Sequence, residues 1–462
     1  MTLIKNISGF RGTIGGNNLE NLTPTDIVTS ISAFSRLIKE NNPNSSSLTV
    51  MTGRDGRKSG RMIQTIVNST FNSMGINVID AGLSTTPTIC WGVLNNESVG
   101  GLMITASHNP EEYNGLKFFN SEGEFLSRED VSKLIEYSES KDHIFSSNNS
   151  LGTIIEYDRL IDDHVDAILN LKILPLDEIR ELKLSVSADA INSGGSIAIP
   201  KLLDRLSIKY NIINSEIKGV FNHMPEPLAE NLTDLSNSIQ MNKSDFGIAV
   251  DPDVDRLVFF DENGKILGEE YTQVFCSDFV LSKNKGDTVS TLSSSNALKD
   301  LTISYGQKYY STPVGEMNVV KKMKEVSSIV GGEGGGGIIY PELHYGRDAL
   351  VGIALFLALL VDRKCKVSEL KGQYSEYFMK KTKITLEDSN LIDRSFKVIA
   401  ENYSELSPNT EDGVRIDFQD AWVHMRKSNT EPIIRIFAEA NSQDIANSYA
   451  LKIEKEIKSI SA

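Results

Sequence analysis

A chain of 462 residues is too long for one hydrophobic core, so roughly three or four domains are expected. The composition, 40% apolar and 24% charged, is that of a soluble globular protein, and a net charge of −15 argues against nucleic acid or an anionic membrane as partner. Cys90, Cys276 and Cys365 are too scattered for a disulfide framework or a zinc site, no signal-peptide run opens the chain, and the apolar run Ala349 to Val361 is too short to span a bilayer, which together point to the cytoplasm.

Helical and strand patterns alternate along most of the chain, which predicts α/β layers. Thr23-Pro24-Thr25-Asp26 opens a helix through Ile31 and Leu37, with Thr23 as its N-cap and Pro24 at the first helical position. SSSLTVMTGRD reads as a strand ending in a polar loop, SGRMIQTIVNSTFNSMG as a helix and INVIDAG as a strand. In ITASHNPEEYNGLKFF, Ile104 to Phe119, a strand ends at Ile-Thr-Ala, Ser107-His108-Asn-Pro forms a turn, and Asn114-Gly115 marks a second turn before a short strand, Leu116 to Phe119. A serine at such a corner is exposed and aimed.

The polar stretch Ser138 to Gly152 reads as a domain connection. KLSVSADAINSGGSIAIPKLLDRL begins a second strand–turn–helix unit, and FGIAVDPDVDRLVFF a third. Ala349 to Val361 is a buried helix. Beyond it the composition shifts towards a smaller α+β tail with strands at VRIDF, AWVHMR and IIRIFAEA. The domains are placed at 1–150, 151–248, 249–368 and 369–462.

The strongest chemical signal is GIAVDPDVDRLVFF, Gly247 to Phe260, where Asp251, Asp253 and Asp255 alternate around Pro252 between apolar strands. Three adjacent carboxylates repel unless a cation joins them, and an oxygen-only set suits Mg²⁺. An EF-hand would need glycine where Arg256 stands and helices on either side. An acyl-phosphate hydrolase also places two carboxylates, here Asp251 and Asp253, after a buried strand. In the tail, Arg426-Lys-Ser428-Asn429-Thr430-Glu-Pro lies between two strands. Its guanidinium, hydroxyls, amide and turn N–H groups suit a phosphate, to which Arg435 can add. Arg11, in SGFRGT, and Arg54, Arg57 and Lys58, in TGRDGRKSG, are cations in glycine-rich turns. Gly331-Gly-Glu333-Gly-Gly-Gly-Gly337 is no Walker loop, and leaves Glu333 as the lone side chain of a bare turn that a polyhydroxylated ligand could approach.

These elements, in this order and across essentially the whole chain, resemble the α-D-phosphohexomutases: phosphoglucomutase, phosphomannomutase and phosphoglucosamine mutase. TASHNP is similar to the family's phosphoserine loop, DPDVDR to its metal loop, GGEGGGG to its sugar loop and RKSNTEP to its phosphate loop; SGFRGT, PVGEMNVVKKM and HYGRDAL also fit. The resemblance implies a heart-shaped, four-domain α/β architecture around a central cleft, with three related mixed α/β domains and a smaller C-terminal α+β domain that closes over the sugar. It implies that Ser107 carries a phosphoryl group, with His108 and Asn109-Pro110 fixing its loop. Asp251, Asp253, Asp255 and a phosphoserine oxygen would hold Mg²⁺.

By the same resemblance, Lys117 and Arg11 are candidates for proton transfer at the reacting hydroxyl, and Arg256 sits beside the metal loop. Glu333, Gly335 and Glu316 belong to the sugar site, and Arg426, Ser428, Asn429, Thr430 and Arg435 to the phosphate site. The implied reaction interconverts hexose 6-phosphate and hexose 1-phosphate through a hexose 1,6-bisphosphate, in a monomer or homodimer. Two departures bear on the sugar. Gly335 stands where many members carry serine, and the loop is closer to that of the archaeal-type members. Glu316 stands where histidine or lysine is frequent, and its carboxylate favours an ammonium, hence glucosamine phosphate over mannose or glucose phosphate. An aspartyl-phosphate phosphatase and an inactive sugar-phosphate binder are the rival readings.

Overall fold

The structure is a computed structural model describing residues 2–140, 142–385, 389–427 and 433–461, with side chains described at all of these except 389, 390 and 461. The chain divides into two units, residues 1–283 with 335–368, and residues 284–334 with 369–462.

In the first unit a seven-stranded sheet runs in the order Ile4–Asn6, Gly9–Thr13, Tyr113–Phe119, Gly100–Ile104, Thr49–Arg54, Asn77–Leu83, Ile154–Glu156. Its first pairs are antiparallel; from Gly100–Ile104 onward they are parallel. The helix Pro24–Asn41 covers it. Thr23 caps that helix in a capping box with Asp26, and its apolar stripe buries Ile27, Ile31, Phe34 and Leu37. Phe34 meets Phe71 and Phe118 edge to face. A second sheet orders Leu257–Phe260, Phe246–Val250, Ser185–Asp189 and Lys209–Ile213. The apolar helix Ala349–Arg363 is buried from Ala349 to Leu360, and Phe356 stacks on Phe259 at 3.8 Å between centroids.

In the second unit, Tyr309–Thr312, Thr288–Thr291 and Val330–Glu333 are parallel neighbours. The C-terminal sheet is antiparallel, in the order Phe378–Thr385, Ile433–Ala440, Ala421–Lys427, Val414–Asp417. Mixed α/β layers followed by an α+β tail are therefore present as expected. Among the described residues no helix is long and apolar enough to cross a membrane.

Two local expectations need correction. Asn114-Gly115 is no turn: both residues lie inside the strand Tyr113–Phe119. A Cβ at Gly115 would come 2.7 Å from the Thr105 oxygen and 2.8 Å from the Phe10 oxygen, so glycine there serves close strand approach. Likewise SGFRGT is mostly strand, and Arg11 projects from Gly9–Thr13.

Candidate functional site

Ser107 follows the central strand Gly100–Ile104 and sits in the left-handed region, at φ 50°, which costs a non-glycine residue energy. A buried network holds it there. Arg57, fully buried and paired to Asp55 at 2.9 Å, donates to the carbonyls of Ser107, Asn109, Pro110 and Tyr113. Thr105 Oγ1 donates to Asp55 and accepts from the Ser107 N–H. Arg57 is thus committed to the loop's backbone.

The acidic turn meets this serine. Ser107 Oγ donates to Asp251 Oδ2 at 2.8 Å, and the other Asp251 oxygen accepts the N–H groups of Asp255 and Arg256, folding the turn on its own side chain. The carbonyls of residues 251 to 254 are taken in order by Val254 N, by Gly194 N with Ser193 Oγ, by Thr86 N and by Ala349 N. Every turn carbonyl is therefore satisfied, and Val254 is held at φ 62°, a strained value for a β-branched residue.

All three carboxylates are fully buried and within 4.8 Å of one another. Lys117 lies 2.6 Å from Asp253 and 2.9 Å from Asp255, and Arg347 lies 2.8 Å from Asp255. Thr86 Oγ1 also donates to Asp253. Burial and the charges of Asp255 and Asp253 push Asp251 well above the usual carboxylate range. Burial alone would raise Asp255 too, but Arg347, Lys117 and Arg256 outweigh it and hold Asp255 below that range. Against its own burial, Lys117 is held well above the ordinary lysine value by Asp253 and Asp255. Asp253 Oδ1 and Asp255 Oδ1 are buried without a hydrogen-bond partner among the described residues. Two orphaned oxygens in an all-oxygen set fit a hard divalent cation.

His108 Nδ1 lies 3.3 Å from Ser107 Oγ, and Arg256, burial and Arg11 hold its ring well below the ordinary histidine value. Arg11 donates to Asn109 Oδ1 at 3.2 Å. Arg256 lies 3.5 Å from Glu226, and the nearest heavy atom to a Cβ built on Gly335 would be its Nη1, at 3.8 Å. Gly335 itself has φ 94°, which explains glycine where a serine would be strained. Ser107, His108, Arg11, Lys117, Arg256 and the three aspartates are thus brought together in the first unit. Sequence reasoning gave no role to Arg347, Thr86 or the Arg57–Asp55 pair. Arg347 lies in HYGRDAL, a stretch noticed without its ion pair.

The second unit carries the other candidates. Glu333 ends the strand Val330–Glu333, and its Oε1 accepts the Gly315 N–H at 2.9 Å; Glu316 follows, opening the helix Glu316–Val326. Ser290 Oγ donates to the Gly332 carbonyl and lies 2.6 Å from Ser294 Oγ, which accepts the Gly334 N–H at 3.1 Å. The two serines therefore pin the backbone on both sides of Glu333. Arg426 and Arg435 are cross-strand partners, so like charges face one another. Asp412 is 3.8 Å from Arg426, whose pKa burial lowers while Asp412 and Glu333 support its charge. Ser428, Asn429 and Thr430 lie outside the described residues.

Residues 3–144, 162–264 and 268–377 match the phosphoglucomutase/phosphomannomutase alpha/beta/alpha domains I, II and III, and residues 364–456 match the C-terminal domain of the same group. The chain belongs to the phosphoglucomutase/phosphomannomutase family. A phosphoglucomutase/phosphomannomutase of Thermococcus kodakarensis is 35% identical over 448 residues, covering 95% of this chain and 96% of the relative. A phosphoglucosamine/phosphogalactosamine mutase of Sulfurisphaera tokodaii is 31% identical, covering 88% and 91%. A family protein from Burkholderia thailandensis shares the fold, with a TM-score of 0.84 at 23% identity over 98% of this chain and 96% of that one. The family's mutases give the chemistry against which these residues are read.

Proposed function

We propose that the protein is a phosphohexomutase that moves a phosphoryl group between Ser107 and the 1- and 6-hydroxyls of a hexose, with glucosamine phosphate as its sugar. The observation that carries this reading is the 2.8 Å contact of Ser107 Oγ with Asp251 in a buried three-carboxylate turn. In the first half-reaction the bond from phosphorus to Ser107 Oγ breaks as a bond to the sugar oxygen forms and the sugar hydroxyl proton leaves to a base. In the second, the bond from phosphorus to the other sugar oxygen breaks as the bond to Ser107 Oγ re-forms, and that sugar oxygen takes up a proton. The monophosphate becomes the 1,6-bisphosphate, which turns over and returns its other phosphoryl group to Ser107.

Ser107, Asp251, Asp253 and Asp255 would hold Mg²⁺, which when bound neutralises charge on the transferring group. Lys117 and Arg11 act here as cations. The ion pairs of Lys117 keep it an ammonium, and arginine does not give up its proton, so both stabilise charge rather than act as the base. His108, with a ring nitrogen beside Ser107 Oγ, is the neighbour suited to accept a proton. Arg256 adds positive charge beside the turn. In the second unit, Arg426 and Arg435 repel each other unless an anion lies between them, which supports the non-reacting phosphate there, with Ser428, Asn429 and Thr430 completing its set. Glu333 takes sugar hydroxyls. Glu316 directly follows Gly315, whose N–H Glu333 accepts, and a carboxylate at position 316 favours an ammonium substituent.

Coupled assays with glucosamine, glucose and mannose 6-phosphates, primed with the matching bisphosphates, test the reading, together with phosphopeptide mass spectrometry. Turnover led by glucosamine 6-phosphate and an acid-stable phosphoryl group on Ser107 are expected. Turnover of glucose or mannose 6-phosphate alone would select the second reading, which the name of the Thermococcus relative favours. A hydroxylamine-sensitive phosphoryl group on Asp251 would point to the phosphatase instead.

A further inference from the structure

A second cluster of metal-ligating side chains lies in the first unit, apart from the three aspartates. His164 comes from the helix Leu160–Leu169, His344 from the turn after Tyr340, and Asp348 caps the helix Ala349–Arg363. Their side chains are 0%, 2% and 0% exposed. Both Nε2 atoms face one carboxylate oxygen: His164 Nε2 is 3.1 Å from Asp348 Oδ2, and His344 Nε2 is 3.4 Å from it. The three donor atoms lie within 4.8 Å of one another.

These spacings have a chemical meaning. Ligands bonded at about 2.1 Å to a tetrahedral ion stand about 3.4 Å apart, close to both measured separations. The surroundings hold the ligands as a metal site requires. His164 Nδ1 is 3.0 Å from Thr88 Oγ1, which can accept an N–H at Nδ1; in that tautomer the Nε2 lone pair is directed at the cluster. Asp348 Oδ1 is occupied by the N–H groups of Leu350 and Val351, which leaves Oδ2 as the free donor of a fixed carboxylate. Trp91 stacks on the His164 ring at 5.6 Å. His344 Nδ1 is buried without a partner among the described residues, whether or not an ion is bound, and so does not discriminate.

We infer that His164, His344 and Asp348 form a structural site for a late first-row divalent cation of the zinc class, distinct from the hard-ion site at the aspartates. Two imidazoles and one carboxylate select Zn²⁺ or Co²⁺ over Mg²⁺. Three protein donors leave one position for water, and the burial of all three makes the site structural rather than reactive. Its location gives it a task. Asp348 neighbours Arg347, which pairs with Asp255, while Thr88 shares its helix with Thr86, which bonds Asp253. An ion there would tie together the two elements that brace the acidic turn.

The test uses the full chain, stripped with chelator and titrated with Co²⁺ in excess Mg²⁺ to cover the aspartate site. The expected result is close to one tightly bound Co²⁺ per chain with intense visible d–d absorption, displaced by Zn²⁺. Binding should weaken at least tenfold in His344→Ala and persist in Asp253→Asn, and metal analysis of unstripped wild type should find Zn²⁺. Absence of tight Co²⁺ in the wild type would overturn the inference and leave a hydrogen-bonded His–Asp–His cluster; so would absorption that survives His344→Ala or vanishes only in Asp253→Asn. The wild-type titration decides the matter even if His344→Ala does not fold.

Discussion

Arg57 Nη2 donates to the backbone carbonyl of Ser107 at 2.6 Å, from a guanidinium with no solvent exposure. A residue fifty positions upstream therefore sets the corner on which the candidate nucleophile stands. Removing it in Arg57→Ala leaves Asp55 as an unpaired buried charge and orphans several carbonyls, a loss of about 3–5 kcal/mol. Arg57→Lys, which keeps charge but not the fork, is expected to fold and to lose about a hundredfold in kcat with little change in KM. Urea denaturation and steady-state kinetics check both, and unaltered kcat in the lysine variant would remove Arg57 from the positioning of Ser107.

Lys117 neutralises Asp253 and Asp255. Its isosteric replacement in Lys117→Met leaves those carboxylates to Arg347 and Thr86. Turnover should fall by about a hundredfold or more. The difference in melting temperature between chelator and Mg²⁺ should also widen relative to wild type, because the unpaired carboxylates then gain more from a cation. Thermal melts in the two buffers measure this; an unchanged difference contradicts it.

The serines flanking Glu333 act on sugar binding. Ser294→Ala removes the acceptor for the Gly334 N–H and the partner of Ser290. KM for the sugar phosphate should rise by about tenfold with kcat changed far less, since Glu333 is displaced and the transfer groups are not. Ser294→Thr should restore most of the loss.

Burial, reinforced by nearby Arg415 and Arg426, pushes His424 down to about 4 from an ordinary 6.5. Its Nε2–H donates to the Asp412 carbonyl, and Nδ1 lies 2.7 Å from Ser293 Oγ. Between these pH values the unfolded chain binds a proton that the folded chain refuses. Stability is therefore fully present above about 6.5 and drains away as pH falls to about 4, by at most about 3 kcal/mol. Denaturant titrations across that window should show the slope, and His424→Gln should flatten it.

Much of the candidate site could be read from the sequence because its elements are local. Asp251, Asp253 and Asp255 fall in one turn, and Glu333 stands alone among glycines, so spacing exposes them. Asn114-Gly115 misled the same reasoning: the pair is favoured in turns, yet here the missing Cβ admits the Thr105 and Phe10 carbonyls. Arg57 could not be placed by the same reasoning, since a cation in a glycine-rich stretch has no assigned partner until Asp55 and four carbonyls are seen around it.

By itself the sequence determined which segments alternate between helix and strand, where Thr23 starts a helix, and which side chains are chemically able to carry phosphate or a hard ion. Periodicity and capping are properties of neighbours along the chain. The tertiary structure alone decided that Ser107 touches Asp251, that Lys117 and Arg347 share Asp255, and that His164, His344 and Asp348 converge. Those contacts join residues 92 to 184 positions apart, or in the closest case four apart across a turn and a helix cap. Packing of buried faces, not local preference, brings them together.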